Sequence, residues 1–216
     1  MMAKSAKRND IQGLRSIAIL GVLAFHLAPK LFVNGFLGVD LFFVLSGYLM
    51  SSILSKESNI NWNIIKIFYI RRVKRIVPLY AITLAALTII TPIVFVPSDI
   101  SKFIDDLEWA LPFAENMQNV MKQLDYWAEV FNSPVLLHLW SLGVEIQYYL
   151  IVPFIMIIGK RCEERGPKIR WLAALMIGEI LTGSYLIHIL SSSAISFGLL
   201  FSRIWQFLMG SIAFEL

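Results

Sequence analysis

The chain has 216 residues, of which 57% are hydrophobic and 16% charged, with a formal net charge of +4. That balance excludes a soluble domain, which cannot hide so much apolar surface, and suits a bilayer. The basic residues stand in short blocks between apolar runs, a pattern that orients membrane proteins and argues against nucleic-acid binding.

A helix needs roughly 20 apolar residues to cross the hydrocarbon core. Six stretches meet that requirement: 11–29, 36–54, 76–96, 135–158, 171–190 and 195–216. The expected fold is an all-α polytopic transmembrane helix bundle. The first stretch follows Lys4, Lys7 and Arg8, but its length and internal Arg15 favour a retained anchor over a cleaved signal peptide. Pro78, Pro92 and Pro97 predict displaced ends or a kink for the third. Before it, 64–76 mixes aliphatic with basic residues, as a cytosolic-surface helix would.

Charge then sets the orientation. Lys66, Arg71, Arg72, Lys74 and Arg75 precede the third stretch, and Lys160, Arg161, Arg165, Lys168 and Arg170 separate the fourth from the fifth. The segment 98–134 instead holds Asp99, Asp105, Asp106, Glu108, Glu115, Asp125 and Glu129 against only Lys102 and Lys122. Lysine and arginine mark the cytosolic side, so the N-terminus is expected inside and 98–134 outside. Trp109, Phe113, Tyr126, Trp127 and Phe131 in that loop suit short interfacial or capping helices. The single Cys162 excludes an intrachain disulfide. No metal-ligand spacing or phosphate-cradling glycine loop is present, and no resident cofactor is expected.

Charges inside apolar stretches cost about 2.5–3.5 kcal/mol each on insertion scales, so each needs an explanation. In DIQGLRSIAILGVLAFHLAPK, Arg15 and His26 are eleven residues apart. On one helix that puts them within about 20° of each other and about 16 Å apart along the axis. Either both side chains snorkel to opposite interfaces, or they line one inward stripe. Asp40, among Gly35, Gly38 and Gly47, suits a buried pairing group as well as a catalytic one. In HLWSLGVEIQYYL, His138 and Glu145 fall seven apart on one helical face, with Ser141 between them. Trp140, Tyr148 and Tyr149 are expected to pack or to sit at the interface. Arg203 and Gln206 add polar groups to the sixth stretch, whereas Glu179 and His188 point to opposite faces of the fifth. Arg72 and Arg75 either serve the positive-inside rule alone or clamp one phosphate group together.

These pieces, in this order, resemble the acyltransferase family 3 membrane proteins. The likeness rests on the Arg15/His26 pair, GFLGVDLFFVLSGYL at 35–49, YIRRVKRIVPLY at 69–80, HLWSLGVEIQYYLIVP at 138–153 and SRIWQFLMG at 202–210. The QYYL form of the fourth piece is similar to nematode O-acyltransferase-like proteins. The resemblance implies one acyltransferase domain over 1–216, the N-terminal part of a larger bundle of about ten spans. It implies a catalytic His26, with Arg15 supporting the donor and Arg72 and Arg75 at the donor's cytosolic head. Glu145 would belong to the active-site region, with Asp40, His138, Ser141 and Arg203 around the substrates; Gln206 stands where the family has a glutamate. The expected reaction moves an acyl group from acyl-CoA to a hydroxyl acceptor on the extracytoplasmic side. Its partners are the bilayer and the two substrates, with no nucleic acid. A transporter or lipid-handling protein uses intramembrane charges equally, and an inactive copy of such an enzyme would keep the same pieces.

Overall fold

A computed structural model of the chain describes residues 8–57, 60–123 and 135–216. Lys4, Lys7, Asp125, Tyr126, Trp127, Glu129 and Phe131, named above, lie outside the described residues. Every regular element among the described residues is helical. In order these are α1 (Asn9–Leu27), a 3₁₀ turn (Val33–Phe36) leading into α2 (Leu37–Leu54), α3 (Trp62–Val94), α4 (Pro97–Ala110) and α5 (Glu115–Met121). A second 3₁₀ turn (Leu137–Leu139) leads into α6 (Trp140–Glu164), followed by α7 (Pro167–Leu190), α8 (Ser193–Gly198) and α9 (Leu200–Glu215).

Five of these segments are long and apolar enough to cross a membrane: Asn9–Leu27, Val33–Leu54, Trp62–Val94, Leu137–Glu164 and Pro167–Leu190. The architecture is therefore an all-α polytopic bundle. The sixth expected stretch divides at Leu199, whose extended backbone separates α8 from α9.

Helix starts follow the local chemistry. The Asn61 side chain accepts the Ile64 N–H at 3.1 Å and caps α3, and prolines open α4 and α7. Pro78 and Pro92 do not interrupt α3, which runs unbroken through both. Each proline forfeits one backbone hydrogen bond, whereas ending the helix there would release a whole turn of unpaired groups. The surface helix expected over 64–76 is thus the first half of α3 rather than a separate element. On α4 and α5, the described part of the acidic segment is helical, as its aromatic content suggested.

The chain forms two compact units, Met1–Ile53 with Ile204–Leu216, and Leu54–Arg203. In the first, a β-carbon on Gly35 would overlap the Gly21 carbonyl, and one on Gly38 the Ala18 carbonyl. Only glycine lets the 3₁₀ turn and α2 lie this close to α1. The register pairs 35 with 21 and 38 with 18, so Asp40 lies level with Arg15 and Ser16. On the far face of α2, Gly47 meets the Phe207 backbone and Gly210 meets that of Val44, while the Phe43 and Phe207 rings lie 4.9 Å apart.

In the second unit, Tyr80, Leu84, Phe103, Ala110 and Leu136 form an apolar cluster between α3 and α4. The Tyr80 hydroxyl donates to the Ala110 carbonyl at 2.7 Å, and its ring stacks on Phe113 at 4.2 Å. Above that cluster, α5 is held by one amide. Asn116, fully buried, exchanges hydrogen bonds with Gln147 of α6 at 3.1 and 3.2 Å and donates to the Gly198 carbonyl of α8 at 2.8 Å. Any β-carbon on Gly143 would press on Asn116 and the Phe113 carbonyl, and one on Gly198 on the Asn116 carbonyl. Asn116→Ala should lower stability by about 2–4 kcal/mol, because it leaves Gln147 and the Gly198 carbonyl unanswered. Thermal unfolding in detergent measures this loss.

Beside that amide, Glu115 is 2% exposed. It faces Asp106 of α4, Tyr80 of α3 and Lys122 just past the end of α5. Gln118 donates to Asp106 at 3.0 Å, and Lys122 lies 3.9 Å from the same carboxylate. Burial pushes the Glu115 carboxyl from the ordinary 4.5 up to about 8; Asp106 adds to the rise and Lys122 opposes it. Burial also raises Asp106. The unfolded chain releases the Glu115 proton near pH 4.5, while the folded chain keeps it to about pH 8. Stability is therefore fullest below 4.5, falls between 4.5 and 8, and is level above that. The free energy of unfolding should drop across this window by an amount on the order of a few kcal/mol, read from denaturant curves in detergent at pH 4.5 and 8, and Glu115→Gln should flatten the dependence.

Candidate functional site

The first unit carries Arg15, His26 and Asp40. Since α1 is one unbroken helix from Asn9 to Leu27, the eleven-residue arithmetic applies directly. Arg15 is half-buried beside the buried stripe of Ile11, Ala18 and Phe25. His26 occupies the last turn of α1, exposed, with its ring edge-on to Phe25 at 5.3 Å. The two polar groups thus stand on one face, a cation near one end of α1 and an imidazole at the other. Asp40 opens α2 and is half-buried.

The second unit carries Arg72, Arg75, His138, Ser141, Glu145 and Arg203. The arginines of α3 do not present themselves alike. Arg75 is exposed, whereas the Arg72 guanidinium lies 5.4 Å from the ring centres of both Phe68 and Tyr149. Phe68 is one turn back on α3, and Tyr149 comes from α6. Next to this contact the Tyr69 hydroxyl donates to the Leu150 carbonyl at 2.7 Å, fixing the level of α3 against α6. Tyr149 stands eleven residues from Lys160, or about 16 Å along α6. Arg72 is therefore half-buried against an aromatic ring of α6, whereas Arg75 is exposed.

Glu145 is half-buried one turn before Tyr149 and accepts a hydrogen bond from its hydroxyl. His138 precedes α6, in the exposed 3₁₀ turn, and Ser141 donates to its carbonyl at 3.4 Å. The face shared by His138 and Glu145 was reckoned on one continuous α-helix. Because a 3₁₀ turn advances about 120° per residue, that reckoning holds only from Trp140 onward.

Arg203, 1% exposed, has its guanidinium 4.7 Å from the Phe197 ring centre and 5.5 Å from that of Trp140, which meet edge-to-face. Each such contact stabilises by about 0.5–2 kcal/mol, most when water is excluded. Trp140 is thus a buried wall for a cation rather than an interfacial anchor. Beside it, His188 and Ser196 pair at 2.9 Å and tie the end of α7 to α8. Among the described residues no group of three or more His, Cys, Asp or Glu side chains could hold a metal ion.

Sequence reasoning gave Tyr149 only a packing or interfacial role and passed over Phe68, Phe197, Asn116 and Gln147. Two left a signal: Phe68 is four residues before Arg72 and Tyr149 four after Glu145, the spacing at which helical side chains meet. Phe197 and Asn116 depend on contacts far along the chain and left none.

Comparison with known proteins finds relatives of the chain. One relative, from Staphylococcus aureus strain COL, bears the provisional name of an O-acetyltransferase and is 39% identical over 150 residues. The O-acetyltransferase OatA of Staphylococcus aureus strain NCTC 8325 is 35% identical over 147 residues. Each alignment covers 68% of this chain and 24% of the relative, so the matched stretch is about a quarter of those proteins. They are bacterial, so the likeness of QYYL to nematode proteins is not what carries the relationship. No solved structure matches the chain significantly. The family model that matches, Acyl_transf_3, describes an acyltransferase domain and aligns with residues 8–215. With five helices able to cross a bilayer, this multi-pass membrane protein belongs to the acyltransferase 3 family.

Proposed function

We propose that the chain transfers an acetyl group from a cytosolic acyl-CoA donor to a hydroxyl acceptor on the extracytoplasmic side. The observation that carries this reading is the placement of Arg15 and His26 on one face of an unbroken α1. Family membership supplies the reaction class, and the O-acetyltransferase names of the relatives suggest acetyl and an oxygen acceptor.

The chemistry needs a base where the acceptor arrives and cations where the donor is held. Neutral His26, exposed at the end of α1, takes the proton of the acceptor hydroxyl as the oxygen attacks the thioester carbonyl. The carbon–sulfur bond breaks, and the CoA thiolate leaves with the proton returned from the imidazolium. Both atoms and charge then balance, and no metal is required. Glu145 is the second catalytic group and Arg72 its neighbouring cation. Asp40, His138, Ser141 and Arg203 complete the polar lining of their own units. Arg75, exposed on the basic half of α3, suits a phosphate of the donor's nucleotide head. Arg15, half-buried on α1, is the cation assigned to the donor in the first unit.

Two experiments test this reading. With acetyl-CoA and a mixed pool of hydroxyl acceptors, His26→Ala should cut transfer by about 10²–10⁴-fold while membrane insertion is unchanged. His26 is exposed, so its removal empties no core; wild-type turnover in that variant would remove the histidine from the mechanism. Separately, Arg75→Ala should weaken acetyl-CoA binding severalfold, and raising salt should produce a similar loss in the wild type, as expected for an exposed ion contact. Binding unchanged by both would leave Arg75 with its orienting role alone.

A further inference from the structure

The short helix α5 is docked by its polar side chains. Glu115, Asn116, Gln118 and Asn119 are its buried residues, whereas Met121 is 68% exposed and Met117 and Val120 are half-buried. A helix of seven residues does not hold itself together, so its contacts must hold it. One of these is the Asn116 amide, bonded to Gln147 and to the Gly198 carbonyl. Another is the surrounding of Glu115.

That surrounding has more acceptors than donors. Glu115 Oε2 and Gln118 Oε1 are buried without a hydrogen-bond partner, and their residues stand three apart on one face of α5. The neighbouring donors are engaged elsewhere. Gln118 Nε2 donates to Asp106 at 3.0 Å, Lys122 lies 3.9 Å from the same carboxylate, and the Tyr80 hydroxyl donates to the Ala110 carbonyl. An ionised carboxylate only accepts, whereas its neutral form adds one O–H donor. A proton on Glu115 is thus the hydrogen that these oxygens lack.

Among the described residues, Asp106 of α4 and Lys122 are the charges that act on Glu115, and Tyr80 of α3 faces it. Asp105 and Lys102 act in turn on Asp106. Of the other elements against α5, α8 has no titratable side chain, the second 3₁₀ turn has the exposed His138, and α6 has Glu145, which accepts from Tyr149. Ionising Glu115 therefore sets two carboxylates together away from water, with one half-exposed lysine to offset them.

We propose that α5 is a proton-locked strap on α6: a proton on Glu115 keeps it docked, and loss of that proton eases its opening and slows acyl transfer. The effect on transfer rests on the acyltransferase reading above; the lock itself does not. When docked, α5 lays Asn116 against Gly143 and Gln147 of α6, and Glu145 falls midway between those two. Opening removes this support from the stretch that carries the second catalytic group. The expected orientation places α4 and α5 on the extracytoplasmic side, so the controlling pH is that of the acceptor's side.

The first test is hydrogen exchange of the α5 amides in the full chain, in detergent, as protection relative to the intrinsic rate. An opened strap releases the Glu115 proton near the ordinary 4.5, and a docked one keeps it to about 8. Protection should therefore fall with rising pH within that window, by about tenfold per pH unit at its middle, and level off above it. Glu115→Gln, whose amide donates at every pH, should remove most of the slope. Protection that does not change with pH, or an equal slope in the variant, overturns the lock. Should the variant not accumulate, the wild-type slope decides alone. Calcium or magnesium chloride that restores protection at high pH, beyond sodium chloride of equal ionic strength, would make the two carboxylates a metal site and overturn the proton as occupant.

The second test is acetyl transfer in vesicles with the same pH on both sides. The ratio of wild-type to Glu115→Gln kcat should fall about threefold or more across the window, since every other titrating group is common to both. A constant ratio overturns the control of transfer. If the wild-type chain transfers no acetyl group at any pH, the acyltransferase reading falls, while the exchange measurement still decides on the lock.

Discussion

Hydrocarbon offers neither a donor nor an acceptor, so every polar group carried into the bundle must be answered by another part of the chain. The placements in the second unit follow from that constraint. Tyr80 answers the carbonyl that ends α4, and Tyr69 answers a carbonyl in the middle of α6. Asn116 answers Gln147 and the last carbonyl of α8. Thr83 and Thr88 fold their hydroxyls back onto Leu79 and Leu84 of their own helix. Where the polar group is a cation, aromatic faces take the place of water, as for Arg72 and Arg203. Each answer fixes a distance between two helices, so the polar residues do more than survive in the membrane. They set the register in which apolar faces, which have no directional preference of their own, come to rest.

In the first unit, small residues do the same work by exclusion. Gly35, Gly38, Gly47 and Gly210 stand where backbone meets backbone. Close approach at four points leaves no slack along α2, which therefore has α1 on one face and the end of α9 on the other. The face that carries Arg15 and His26 belongs to a helix held against α2 by these close backbone contacts.

The helices were legible because their signal is local: an apolar run of sufficient length needs no knowledge of its neighbours. The Arg15 and His26 stripe was legible for the same reason, being a statement about one helix. The limits of local reasoning appear at α3. The prolines pointed to displaced ends or a kink, and Pro78 and Pro92 sit inside one continuous helix that starts well before the expected stretch, because in lipid a lost hydrogen bond costs less than a helix end. His138 shows the converse failure. A periodicity of 3.6 was extended over residues that form a 3₁₀ turn, and nothing in HLWSLG marks where one helix type passes into the other.

The basic block before the third span holds arginines in two different surroundings. The block from Lys66 to Arg75 looked like one cytosolic patch, and a rule based on counting lysines and arginines treats its members alike. The structure sorts them by what lies one turn away. Arg72 has Phe68 behind it and Tyr149 across from it, so it turns inward; Arg75 has neither and stays exposed. The distinguishing information was partly in the sequence, in the four-residue spacing of Phe68 and Arg72. The other half came from Tyr149, more than seventy positions along the chain. A basic cluster before a span therefore holds two populations, which aromatic spacing can separate. Cations with an aromatic residue one turn away on the bundle side can enter it, and those without one remain to orient the chain or meet an anion.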